Sequence, residues 1–155
     1  MSINPMKTAI EEALIGIDAK NGGPFGAVVV KDGTIVGTGH NRVLAHNDPT
    51  AHGEVEAIRD ACKNLGTFDL HGAELYTTCY PCPMCLGAIL WARIGKVYYC
   101  MSSQQAKELG FDDAHFYDIF KDEGQLKALL EAAPAELKDC EGLFEKYAAS
   151  QHDMY

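Results

Sequence analysis

The chain has 155 residues, 47% of them hydrophobic and 23% charged, with a net charge of −9, which fits a single folded domain that buries its core without disulfide staples. Its 13 basic side chains stand against 22 acidic ones and form no run, which argues against nucleic acid as a partner, since a polyanion is held by clustered Lys and Arg. No stretch approaches the roughly eighteen apolar residues of a membrane span and no basic-then-apolar export signal opens the chain, so the expectation is no membrane partner and a cytoplasmic location.

In chain order, Asn4 and Pro5 open a helix as cap and first residue. Met6, Ala9, Ile10, Ala13, Leu14 and Ile17 follow at helical spacing, and Gly22-Gly23-Pro24 closes the segment. Phe25 to Lys31 reads as a strand whose Ala27-Val28-Val29-Val30 run predicts burial on both faces. Asp32-Gly33 is a two-residue hairpin signal, so Thr34 to Val43 returns antiparallel. Its end, with Gly37, Gly39, His40 and Asn41, suits close approach of backbone to a ligand.

After a turn-rich loop (Ala45 to Pro49), Thr50 or Ala51 caps a helix running to Leu65, with Gly66 just past its end. Ala73 to Cys79 is the third strand, Pro83 to Arg93 a helix and Lys96 to Met101 the fourth strand. Beyond Ser102 the pattern is helical, clearest over Gln125 to Ala133 and Glu141 to Ala149, with no fifth strand. This order predicts an α/β fold: a three-layer α/β/α sandwich with helices on both faces of a mixed sheet, in one domain over residues 1–155.

The chemistry concentrates in two segments, Ala51-His52-Gly53-Glu54 and Cys79-Tyr80-Pro81-Cys82-Pro83-Met84-Cys85. Of six cysteines, three lie within seven residues, a density that suits a metal better than disulfides in a reducing compartment. With Pro83 as first helical residue, Cys82 sits at the cap and Cys85 in the first turn, where the helix dipole favours thiolate. His52 and Glu54 are about 200° apart around a helix and share a target only if both lie at its very start. Then His52, Cys82 and Cys85 make three ligands for one Zn2+, and the fourth position stays open for catalysis. Glu54 is the proton carrier beside it. Two other readings use the same residues: a four-ligand structural site that adds Cys79 and stabilises an interaction module, and a redox C-x-x-C pair. Phe25 and Trp91 read equally as core, Asp112 or Asp113 as a helix cap, and Tyr155 as a free end.

H-G-E with P-C-P-M-C in this order of strands and helices resembles the cytidine deaminase superfamily over nearly the whole chain. Gly22 to Ala27, Asn47 to His52, Cys82 to Ile89, Trp91-Ala92-Arg93 and Gly110-Phe111-Asp112-Asp113 are similar to its bacterial guanine deaminases. That resemblance implies zinc-dependent hydrolysis of a free nucleobase, guanine to xanthine and ammonia. It implies roles for Asn41 on the base, for Phe25 and Trp91 in the pocket walls, and for Asp113 on the ring edge and in proton relay. It further implies a homodimer in which the segment from about 137 to 155 is exchanged, bringing Tyr155 to the partner's pocket. Gly53 and Leu75-Tyr76-Thr77-Thr78 look as much like cytosine deaminase, which makes cytosine the alternative substrate. A tRNA adenosine deaminase shares the zinc signature but not the acidic balance. Tyr80 stands where the superfamily commonly has an acidic residue.

Overall fold

The structure, a computed structural model, describes residues 3–135 and 139–155. Residues 1–118 form one compact unit around a four-stranded sheet of order β2-β1-β3-β4. Its strands are β1 (Gly26–Lys31), β2 (Thr34–His40), β3 (Glu74–Cys79) and β4 (Lys96–Met101). β1 runs antiparallel to both β2 and β3, while β3 and β4 are parallel, so the sheet is mixed. Asp32 (φ 51°) and Gly33 (φ 75°) are both left-handed, the type I′ geometry that Asp-Gly favours between twisted strands.

Every residue of β1 but Lys31 is buried, because helices cover both faces. Val28 and Val30 pack with Ala9 of α1 (Pro5–Asp18). Ala27 and Val29 pack with Ala57 and Ala61 of α3 (Gly53–Leu65) and Ile89 of α4 (Pro83–Trp91). The expected three layers are present.

Close approach of backbone sets the spacing of these layers. A Cβ on Gly37 would lie 2.5 Å from the Ala57 carbonyl, and one on Gly39 2.5 Å from the Ala57 nitrogen. Gly26 gives the same clearance to Ala9 and Ala13 of α1. Small residues of α1 therefore meet the sheet, and Ile10, Leu14 and Ile17, expected on the buried face, are exposed.

Boundaries next to the site differ from the sequence reading. β2 stops at His40, and a four-residue helix, α2 (Val43–His46), occupies what was read as strand end and loop. The Asn41 side chain starts it by accepting from the Val43 N–H (3.1 Å). α3 begins later than expected, with His52 itself at the cap. Asp48 accepts from the Thr50 N–H (2.8 Å) and hydroxyl (2.6 Å), and this local turn keeps Thr50 from capping α3.

α5 (Ser103–Glu108) and α6 (Asp113–Lys121) follow β4. Residues 119–155 form a second compact unit that contains α7 (Glu123–Leu129) and α8 (Asp139–Ala149). Asp122 caps α7 through the Gly124 and Gln125 N–H groups, which starts the helix before Gln125. The segment expected to exchange between subunits begins near 137, and residues 136–138 lie outside the described residues.

Candidate active site

Two helices begin at the site, and in each the cap residue is a candidate ligand. His52 (φ −75°, ψ 156°) precedes α3 and Cys82 (φ −66°, ψ 167°) precedes α4, and neither side chain caps its helix. Those side chains are therefore free to face each other. His52 Nδ1 lies 3.6 Å from Cys82 Sγ and 3.5 Å from Cys85 Sγ, and the three ligand atoms fall within 4.8 Å of one another. With zinc bonds of about 2.3 Å to sulfur and 2.0–2.1 Å to nitrogen, a tetrahedral centre separates S from N by about 3.6 Å. The donor set fits zinc.

The electrostatics point the same way. Cys82 is pulled down to about 4, first by a hydrogen bond from Cys85 and then by one from His52. Cys85 is pushed up because it donates a hydrogen bond to Cys82 and is buried. The hydrogen bond to Cys82 raises His52. The hydrogen bonds to Cys82 favour its thiolate, and a bound cation would supply the charge that frees the second sulfur.

Cys79 stands apart from this cluster. Its thiol points to the Ser102 carbonyl (3.7 Å), and burial pushes it up to about 12. Among the described residues the group that could hold a metal is His52, Cys82 and Cys85, three donors that would leave a fourth tetrahedral position open.

Glu54 is buried at the second position of α3. Its Oε1 lies 3.1 Å from the Thr77 hydroxyl and its Oε2 accepts from Cys85 Sγ at 3.4 Å. Burial raises its pKa, which suits a group that must both take and give a proton. The first-turn geometry that the His52–Glu54 spacing demanded is present. Gly53 between them lets the chain pass close to Phe25, whose carbonyl would be 3.1 Å from a Cβ there.

Above these residues opens a cavity of about 460 Å³ lined by Phe25, Asn41, Glu54, Tyr80, Phe111 and Asp113 among others. That volume suits a small aromatic ligand. Phe25 and Phe111 meet edge to face (4.8 Å, 77°) on one wall. Tyr80 forms another, held from behind by Tyr99 (5.0 Å) and Tyr117 (6.0 Å). The Tyr117 hydroxyl donates to the Pro81 carbonyl. Asp113 opens α6 at the rim, and burial, then the Cys82 charge, raises its pKa.

Trp91 is not in this wall. It sits at the last turn of α4, 63% exposed, with the Arg93 guanidinium 5.9 Å from its ring. Nine helical residues advance about 13 Å, so the end of α4 cannot face what its beginning faces. Tyr155 belongs to the second unit and is 69% exposed. Phe111 was missed as a wall residue, although the motif that contains Asp113 also contains it.

A family model described as the cytidine and deoxycytidylate deaminase zinc-binding region matches residues 2–101. The chain belongs to this family. It is 55% identical to the guanine deaminase of Bacillus subtilis over 112 residues, 72% of each chain. The X-ray structure of that guanine deaminase matches with a TM-score of 0.88 at 42% identity, covering 99% of both chains. A tRNA-specific adenosine deaminase of Aquifex aeolicus is 45% identical over 94 residues, 61% of this chain and 62% of that protein. The family is zinc-binding, and in this deaminase chain His52, Cys82 and Cys85 are positioned to take the metal.

Proposed function

We propose that this chain is a guanine deaminase, hydrolysing guanine to xanthine and ammonia. The observation that carries this reading is the pairing of the His52-Cys82-Cys85 cluster and buried Glu54 with an overall likeness to a guanine deaminase (TM-score 0.88). His52, Cys82 and Cys85 hold zinc, which when bound supplies a Lewis acid that makes water a nucleophile near neutral pH. Glu54 takes the proton of the attacking water and passes it to the ring nitrogen beside the amine-bearing carbon. The second proton leaves by the same carboxylate with the amine. The Thr77 hydroxyl holds one carboxylate oxygen in place for both transfers.

Recognition falls to the walls. The Asn41 Oδ1 is occupied by the Val43 N–H, so the amide offers its NH2 donor to an acceptor on the base. Asp113, at the rim, accepts from the amino and ring N–H edge. Phe25, Phe111 and Tyr80 enclose the ring faces. Trp91 is left with no part in the walls of its own protomer. The net charge of −9 favours a free base over the tRNA of the adenosine deaminase relatives.

By resemblance the enzyme works in the cytoplasm as a homodimer, with the tail from about 137 exchanged and Tyr155 closing the partner's cavity. Among the described residues no helix is long and apolar enough to cross a membrane. Ammonia release from guanine, guanosine, cytosine, adenine and ammeline tests the substrate. Guanine turnover is expected; turnover of cytosine with none of guanine would overturn the assignment. Removal of the last few residues should lower activity without loss of zinc, and unchanged kinetics would take Tyr155 out of the site.

A further inference from the structure

Behind the Asn41 wall lies a polar array that the chemistry above does not use. His40, 3% exposed, ends β2 and engages both ring nitrogens: Nδ1 lies 2.9 Å from Glu12 Oε2 of α1, and Nε2 lies 2.9 Å from Asn21 Nδ2. An amide NH2 only donates. The imidazole therefore accepts at Nε2 and donates from Nδ1 to the Glu12 carboxylate, which fixes its tautomer. The ring lies flat against Gly16, where a Cβ would come within 2.8 Å of Cδ2.

Asn21 and His40 each lead to the cavity. The Asn21 backbone carbonyl accepts from the N–H groups of Leu44 and Ala45, both at 3.0 Å, so the main chain that the side-chain amide anchors on His40 holds the first turn of α2. Gly22, next in the chain, packs on the Asn41 side chain, with Cγ 3.0 Å from where a Cβ would stand. Asn41 follows His40 directly, and its own N–H donates to the Phe25 carbonyl (2.9 Å). Gly22, Asn41, Val43 and Leu44 all line the cavity.

We propose that Glu12, His40 and Asn21 are positioning residues that hold the Gly22 loop, Asn41 and the start of α2 in register, and so fix the direction in which the Asn41 amide meets the base. None of the three touches substrate. Their effect is on binding of the base, not on the proton transfers made by Glu54.

The inference rests on the deaminase reading above, and the test separates the two. Variants are compared with wild type on whichever base wild type deaminates, so a substrate other than guanine revises that reading alone. Asn21→Ala is expected to raise KM roughly tenfold, the effect of one misplaced hydrogen bond, with kcat and zinc content near wild type. Glu12→Gln, which retains an acceptor for the Nδ1 proton, should stay near wild-type KM, whereas Glu12→Ala should follow Asn21→Ala. In an Asn41→Ala background Asn21→Ala should add little, because its target is gone. Additive effects on KM would overturn the proposal, as would a fall in kcat with KM unchanged. Amide hydrogen exchange at Val43 in the zinc-loaded protein reads the array with no substrate present: Asn21→Ala should speed it roughly tenfold, and unchanged exchange would also overturn the proposal.

Discussion

The floor of the cavity comes from two short stretches, His52 to Glu54 and Cys82 to Cys85, each folded onto the start of one helix. The walls come from Phe25 before β1, Asn41 after β2, Tyr80 after β3, and Phe111 and Asp113 near α6. A helix start fixes the relative directions of neighbouring residues almost by itself, so the floor needs little beyond its two caps. The walls exist only once the strands are in order. Reaction type and substrate choice are thereby held by separate parts of the fold, and one family can keep the first while varying the second.

If that division is right, damage to the floor should abolish turnover and damage to the walls should tune it. Cys82→Ala removes both a ligand and the low-pKa thiol of the cluster. Zinc content should fall to background with activity, and thermal stability should drop, since the cluster's binding free energy is also folding free energy. Glu54→Gln keeps the shape and the ligands. Zinc should stay bound while kcat falls by about 10² to 10⁴, read by metal analysis and ammonia release on the same sample. A Glu54→Gln enzyme with normal kcat would break the assignment of the proton carrier.

Asp113→Asn tests the rim. The side chain keeps its size and loses its charge and its capacity to accept two N–H groups. KM for the base should rise roughly ten- to a hundredfold, with zinc unchanged. A larger loss in kcat than in KM would instead place Asp113 in the proton path beside Glu54.

The same division explains what could be read from the chain. The meeting of His52, Cys82, Cys85 and Glu54 was legible because a proline at the first helical position locates Cys82 and Cys85, and because the His52–Glu54 spacing works in only one place on a helix. The start of α3 was misjudged by a residue or two, since Thr50 looks like a cap until Asp48 takes its N–H and hydroxyl. Trp91 was placed in the wall by the resemblance, and at the exposed last turn of α4 it stands outside the cavity lining of its own protomer. Phe111 carries only the signal of sharing a motif with Asp113: its place is defined by an edge-to-face meeting with Phe25, far earlier in the chain. The likeness to the guanine deaminase structure extends over 99% of the chain at 42% identity, beyond the 112 residues that align at 55%.

The smallest expected effect tests whether floor and wall are mechanically joined. Tyr117 lies one helical turn after Asp113 on α6, and its hydroxyl donates to the carbonyl of Pro81, the residue before the ligand Cys82. Its ring also backs Tyr80. Tyr117→Phe keeps the ring, and with it the aromatic wall, but leaves the carbonyl of buried Pro81 without this donor. A stability loss of about 1 kcal/mol is expected, seen as a lower thermal midpoint. If the hydroxyl ties α6 to the metal loop, KM should rise a few-fold as Asp113 loosens, with kcat almost unchanged because His52, Cys82, Cys85 and Glu54 keep their helix starts. Equal falls in kcat and zinc content would show instead that the bond supports the floor. In that case the two regions would not be separable at Pro81.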